Sequence, residues 1–137
     1  MGLILDSDVI IDHLNSKSDY LSSIISLSAE DLFISVITWS EIVYGIRRSN
    51  NSVKAIKYFT EFLIDLSIKT LEFDQQIAKN FVSLKIALEK KGSRIGDFDL
   101  IIGSTAIVHD LVLVTKNYKH FSRLADIRLY SNSKSSL

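Results

Sequence analysis

A parallel sheet flanked by helices, an α/β fold, is what this sequence predicts, on three observations. Four short runs rich in β-branched and aromatic residues read as strands buried on both faces of a sheet. Amphipathic helical patterns lie between them. The runs also break off abruptly into acidic and hydroxyl residues.

The strand-like runs are Leu3-Ile4-Leu5, Leu32 to Val36, Ile68 to Leu71 and Leu111 to Val114, with a fifth, less apolar one at Ile127 to Tyr130. Trp39, Ile42, Val43 and Ile46 recur at helical spacing, as do Val53, Ile56 and Leu63, with Phe59 at the edge of that stripe. From Asp74 onward, Ile77, Phe81, Leu84 and Leu88 form a third stripe, with Lys79, Lys85 and Glu89 on the opposite side and Gly92 as a stop. Leu100 to Val108 is apolar nearly all round and reads as a buried helix. No repeat or linker interrupts the pattern, so residues 1–130 are expected to form one domain, with 131–137 a disordered tail.

Composition narrows the chemistry. The 137 residues are 47% hydrophobic and 23% charged, the balance of a soluble globular domain rather than a disordered one. With no cysteine, disulfide scaffolds, thiolate metal sites and cysteine nucleophiles are excluded. Sixteen basic residues balance sixteen acidic ones, so any polyanion must be held by a local patch rather than by bulk charge. The N-terminal MGLILDSDVI lacks the features of a secretory signal, and no apolar run is of membrane-spanning length. A cytoplasmic protein without membrane attachment is expected.

Ligands of open α/β sheets sit beyond the carboxyl ends of the strands. There the first run meets Asp6-Ser7-Asp8, the second meets Thr38-Trp39-Ser40-Glu41, and the fourth meets Thr115-Lys116-Asn117. The buried helix opens with Asp97-Phe98-Asp99. Carboxylates converging from three segments repel one another unless a cation neutralises them, and an all-oxygen set suits Mg²⁺ or Mn²⁺. Each piece also has a structural reading. Thr38 and Glu41 fit a helix capping box, and Asp97 or Asp99 fits a cap on the buried helix. Two residues apart, Asp97 and Asp99 cannot share a helix face, so at most one is a primary ligand.

In order and spacing, these segments resemble the PIN-domain ribonucleases, most closely the VapC-type toxins of toxin–antitoxin pairs. The resemblance spans nearly the whole chain. It is carried by Leu3 to Ile11, by Ser35 to Gly45 with its acid Glu41, by Ile95 to Gly103 with Asp99 as the matching acid, and by Leu113 to Asn117 followed by Phe121. It implies a three-layer PIN-like fold with four to five parallel strands. It also implies Mg²⁺- or Mn²⁺-dependent hydrolysis of RNA phosphodiester bonds. Asp6, Glu41 and Asp99 would be the metal ligands, with a hydroxyl from Ser7 or Thr115 and a positioning role for Asn117. Asp8 and Asp97 are further acids nearby. One departure stands out: many members carry an acid immediately before the last aromatic, where this chain has His120. The family also implies a homodimer and a small antitoxin whose helical segment lies against the helices around Trp39 to Leu63. Arg47, Arg48, Arg94, Lys116 and Lys119, with Lys90, Lys91 and Arg123, are the cations available to RNA; solvated helix faces are the bland alternative.

Two other classes share part of the pattern. Asp6-Ser7-Asp8 after a strand also looks like the haloacid dehalogenase-type phosphatases, but their closing acidic motif follows the lysine, whereas Asp97 and Asp99 precede Lys116. A receiver-like module needs an acid at the end of a middle strand, and neither Val36-Ile37-Thr38 nor Lys69-Thr70-Leu71 provides one. A catalytically degenerate PIN domain that only binds its partner is the third alternative.

Overall fold

The computed structural model describes residues 2–131. The expected tail therefore lies, apart from Ser131, outside the described residues. Twelve elements follow one another: β1 (Leu3–Leu5), α1 (Ser7–Leu14), α2 (Tyr20–Leu27), β2 (Leu32–Ser35), α3 (Val36–Arg47), α4 (Ser52–Asp65), β3 (Lys69–Leu71), α5 (Gln75–Lys90), α6 (Asp97–Val108), β4 (Val112–Val114), α7 (Tyr118–Phe121) and β5 (Arg128–Leu129). All five strands are parallel, in the order β3-β2-β1-β4-β5.

Period-two geometry divides the core between the two faces of the sheet. Leu3 and Leu5 point into one cluster, with Ile34, Val114, Ile10, Ile42 and Phe59. Ile4 and Leu113 point into the other, with Leu88, Leu100, Ile102 and Phe121. Helices α1 to α4 thus cover one face and α5 to α7 the other, giving the three layers that the resemblance implied. Gly103 is tightly wedged, since a Cβ there would stand 2.5 Å from Leu124 Cδ1. That lets α6 lie close against the segment after α7.

Several local expectations need revision. Helices α1 and α2 are absent from the apolar-run reading, because polar residues break up their short stripes. The strand expected over Ile68 to Leu71 is buried only in part: Ile68 is in the core, but Lys69 and Thr70 are exposed, since β3 is an edge strand. In α4 the buried stripe is centred on Phe59 and Phe62, whereas Val53 is 86% exposed. The Gly92 stop holds. Its φ is +66°, and Gly92 N donates to Glu89 O while Ser93 N donates to Leu88 O.

The capping box is overturned. Helix α3 starts directly from β2 at Val36, and its N-cap is Ser35, whose hydroxyl accepts from Ile37 N at 3.0 Å. Thr38 lies within the first turn, fully buried. Glu41 is therefore one turn inside the helix and cannot serve as its cap.

Candidate active site

Strand order reverses between β1 and β4, since the chain runs outward to β2 and β3 on one side and to β5 on the other. At such a switch point the loops diverge and leave a crevice beyond the carboxyl ends. Asp6 follows β1 there and Thr115 follows β4, and Thr115 Oγ1 donates to Asp6 Oδ2 across the crevice at 2.7 Å. Asp6 Oδ1 accepts from Ser7 N at 2.8 Å, making Asp6 the N-cap of α1. Thr115 Oγ1 in turn accepts from Asn117 N at 2.9 Å. A chain of short hydrogen bonds thus fixes the Asp6 carboxyl from both sides.

Asp6 is only 5% exposed, and its pKa is pushed up to about 7. Burial is the main cause, reinforced by the charge of Asp8 and, less strongly, Asp99; the bonds from Thr115 and Ser7 pull the other way. Burial likewise raises Asp8 and Glu41, and Asp99 pushes both further. The Ser7 hydroxyl hydrogen-bonds Glu41 and partly offsets that rise. Four carboxylates from α1, α3, α6 and the end of β1 therefore feel one another's charge.

Asp8 Oδ2 accepts from Lys116 N at 3.3 Å, but Asp8 Oδ1 and Glu41 Oε1 are buried with no hydrogen-bond partner. Leaving buried carboxylate oxygens unmatched is costly, and a hard cation is the partner that relieves both the desolvation and the repulsion. Among the described residues, however, no three His, Cys, Asp or Glu side chains are gathered as a finished metal-holding set. The unmatched oxygens, their shared charge and the all-oxygen chemistry fit a divalent cation; the tight cage itself is not formed.

The remaining expected residues separate clearly. Asp99 is half-buried, and its Oδ2 stands 3.6 Å from His120 Nδ1. Asn117 Nδ2 donates to that same nitrogen at 2.9 Å in the tautomer that keeps the His120 proton on Nε2. His120 is thus held at the mouth of the crevice rather than on a remote surface. Asp97 is not one of the group. Two residues before Asp99 on α6, it lies on another face of the helix, where it is exposed and pairs with Lys85 of α5 at 2.9 Å. Lys116 is engaged by Asp12, an ion pair missed from sequence, although Asp8 and Asp12 share a face of α1 at helical spacing. Arg47, Arg48, Arg94 and Lys119 are exposed. Arg123 Nη1 donates to Arg94 O at 3.1 Å, tying α7's exit to the loop before α6.

Residues 3–127 match the PIN domain family. Ribonuclease VapC2 of Rickettsia felis is 30% identical over 131 residues, covering 94% of this chain and 96% of its own. The tRNA(fMet)-specific endonuclease VapC of Salmonella typhimurium is 28% identical over 129 residues, with 94% and 96% covered. Among solved structures, DNA-bound VapBC from Salmonella typhimurium matches with a TM-score of 0.86 at 27% identity, covering 95% of this chain and 97% of that one. VapBC2 from Rickettsia felis on a promoter DNA fragment gives 0.83 at 28% identity, with 95% and 98% covered. Neither a haloacid dehalogenase-type phosphatase nor a receiver module accounts for a family match of this extent. With its parallel sheet, its acids at the switch point and these relatives, the chain belongs to the PIN-domain family and is a nuclease of the VapC toxin type.

Proposed function

We propose that this chain is a Mg²⁺- or Mn²⁺-dependent endoribonuclease, the toxin of a toxin–antitoxin pair. The observation that carries the metal requirement is the group of mutually repelling, partly buried carboxylates with two oxygens left unmatched. Asp6, Glu41 and Asp99 would hold the ion, with Asp8 beside them. Bound there, such an ion lowers the pKa of an attacking water and offsets charge building on the phosphoryl group.

The protein's own residues prepare that chemistry. Thr115 and Ser7 N hold the Asp6 carboxyl in one orientation, and Asn117 N holds Thr115 in turn. The Ser7 hydroxyl steadies Glu41. Asn117 and His120 brace the open side next to Asp99. Preorganised acids of this kind orient the reacting water and phosphate, and no covalent intermediate is needed. RNA reaches the crevice past Arg47, Arg48, Arg94 and Lys119. Lys116, already paired with Asp12, contributes less.

The structural neighbours are VapBC complexes, and this chain too is taken to bind a small antitoxin and to act as a homodimer. An open apolar cavity of about 370 Å³ between α1, α3 and α4, lined by Ile11, Leu14, Ile42, Ile46 and Tyr58 among others, suits an antitoxin helix. No helix among the described residues is long and apolar enough to cross a membrane; the cytoplasm, where RNA is met, is the proposed location. Residues 1–130 would act as one unit. The direct test is cleavage of a labelled RNA by the purified protein with Mg²⁺, with Mn²⁺ and with excess chelator. Cleavage is expected with either ion and none with chelator; equal cleavage in chelator would end the metal assignment.

A further inference from the structure

Asp6, Asp8, Glu41 and Asp99 make the crevice rich in acceptors, and the donors beside them are mostly committed within the protein. The Thr115 hydroxyl donates to Asp6, the Ser7 hydroxyl bonds Glu41, and Lys116 is engaged by Asp12. Asn117 gives an amide proton to His120 Nδ1 at 2.9 Å. His120 differs from all of these. An amide NH₂ can only donate, so the ring nitrogen facing it is the acceptor and the proton of the neutral imidazole sits on Nε2. That Nε2–H has no hydrogen-bond partner among the described residues.

The same contact leaves Asp99 free. Its Oδ2 stands 3.6 Å from Nδ1, too far for a hydrogen bond, and the lone pair of Nδ1 is already taken by Asn117. In this tautomer His120 does not neutralise Asp99, so the carboxylate stays open to the crevice. The His120 side chain is 45% exposed against 29% for Asp99, which puts the imidazole at the opening through which a substrate comes to that acid. The other two histidines are elsewhere: the His13 ring packs against Phe62, and His109 caps the end of α6 remote from Asp99. A phosphodiester under attack gathers negative charge on its oxygens, and a donor already fixed beside that charge stabilises the transition state more than the ground state.

Resting on the ribonuclease reading of this crevice, we propose that His120 is a catalytic residue whose Nε2–H donates a hydrogen bond to a non-bridging oxygen of the scissile phosphate. Asn117 is its positioning residue, because the amide proton on Nδ1 holds the ring and fixes the tautomer. The proton stays on Nε2 and no bond to the ring forms, so His120 acts as a preorganised donor and not as an acid or a nucleophile. A residue that merely held Asp99 in place would need its proton on Nδ1, facing the carboxylate.

Cleavage of an end-labelled single-stranded RNA of mixed sequence is measured for the full chain, His120→Ala and His120→Gln, with protein in excess and saturating Mn²⁺. Because the donor is partly exposed, His120→Ala should lower the maximal rate by about ten- to a hundredfold, less than a fully enclosed donor is worth. The protein concentration giving half that rate should change less than about threefold. His120→Gln, whose amide can donate from near the place of Nε2, should recover most of the loss. NMR of the ring nitrogens, with the His120 signals identified by their loss in His120→Gln, should find the proton on Nε2. Calorimetry without RNA should give the same Mn²⁺ affinity for all three chains, whereas removing a residue that holds a metal ligand in place costs about tenfold or more. A parent-like rate in His120→Ala, a change in half-saturation alone, no recovery in His120→Gln, Mn²⁺ binding that weakens in step with the rate, or a ring proton on Nδ1 would each overturn the assignment. A parent that cleaves while His120→Ala keeps its rate removes His120 alone. A parent that does not cleave removes the ribonuclease reading and this role with it.

Discussion

Replacing Asp6 with Asn should stabilise the metal-free protein, by an amount that grows with pH. In the fold the Asp6 pKa is about 7, against an ordinary value of 3.8. A carboxyl with a raised pKa contributes its full stability below the unfolded-chain value and loses it as pH climbs through the folded value. At roughly 1.4 kcal/mol per pH unit, the gap amounts to about 4 kcal/mol of stability lost by pH 8. Asn cannot ionise, caps a helix as well as Asp, and can still accept from Ser7 N and meet Thr115 through its amide. The expected gain of Asp6→Asn is therefore small at pH 4 and about 2 to 4 kcal/mol at pH 8, with relaxation of Asp8 and Asp99 setting where in that range it falls. Urea unfolding in excess chelator at pH 4, 6 and 8 measures it. Saturating Mn²⁺ should then recover stability for the parent and not for the variant, by about 2.7 kcal/mol at a hundred times the dissociation constant. A gain that stays flat from pH 4 to pH 8, or a variant less stable at pH 8, would refute the picture of an electrostatically strained crevice.

Cleavage should respond differently to acids that look alike in sequence. Asp6→Asn and Asp99→Asn are each expected to lower RNA cleavage by at least a hundredfold, whereas Asp97→Asn, which breaks only an exposed pair with Lys85, should change it less than twofold and stability by less than about 1 kcal/mol. Thr115→Val removes a hydrogen bond that lowers the Asp6 pKa, so the pH at which cleavage becomes half-maximal should move upward; an unchanged profile would show that Asp6 does not govern it. Calorimetry without RNA should find one tightly held Mn²⁺, and His120→Asp should tighten a second. Two equally tight ions in the unmodified chain would point to Asp8 as the missing ligand.

Much of this arrangement is written locally in the sequence. Ile4 and Leu113 read as strand residues because no polar residue could be tolerated on either face of the sheet there, and the structure leaves both fully buried. A buried three-residue strand running straight into Asp6 announces a carboxyl that something must satisfy. Gly92 is legible for the same reason: one backbone position past a helix demands positive φ. The edge strands are less legible. Lys69 and Thr70 carry β-compatible side chains with solvent on the outer side, a difference that depends on which strands lie next to which.

What the sequence hides is partnership across the fold. Thr38 and Glu41 satisfy the spacing of a capping box, yet the box fails because β2 ends one turn earlier and Ser35 takes the cap. Nothing in the local pattern reports where a neighbouring strand stops, since that is set by the pairing of Leu32 and Phe33 with β1. Asp97 and Asp99 present the same difficulty in reverse. Both begin the same helix, and only the position of α5 decides that Lys85 neutralises one while the other stays with the crevice. Lys116 reads as an RNA contact until α1 brings Asp12 beside it. Spacing along a helix fixes which side chains share a face; only the packing of one helix on the next fixes which charges are left uncompensated. In this fold the acids that burial and one another's charge leave strained are gathered at the β1–β4 switch point, and that grouping emerges only when the layers close.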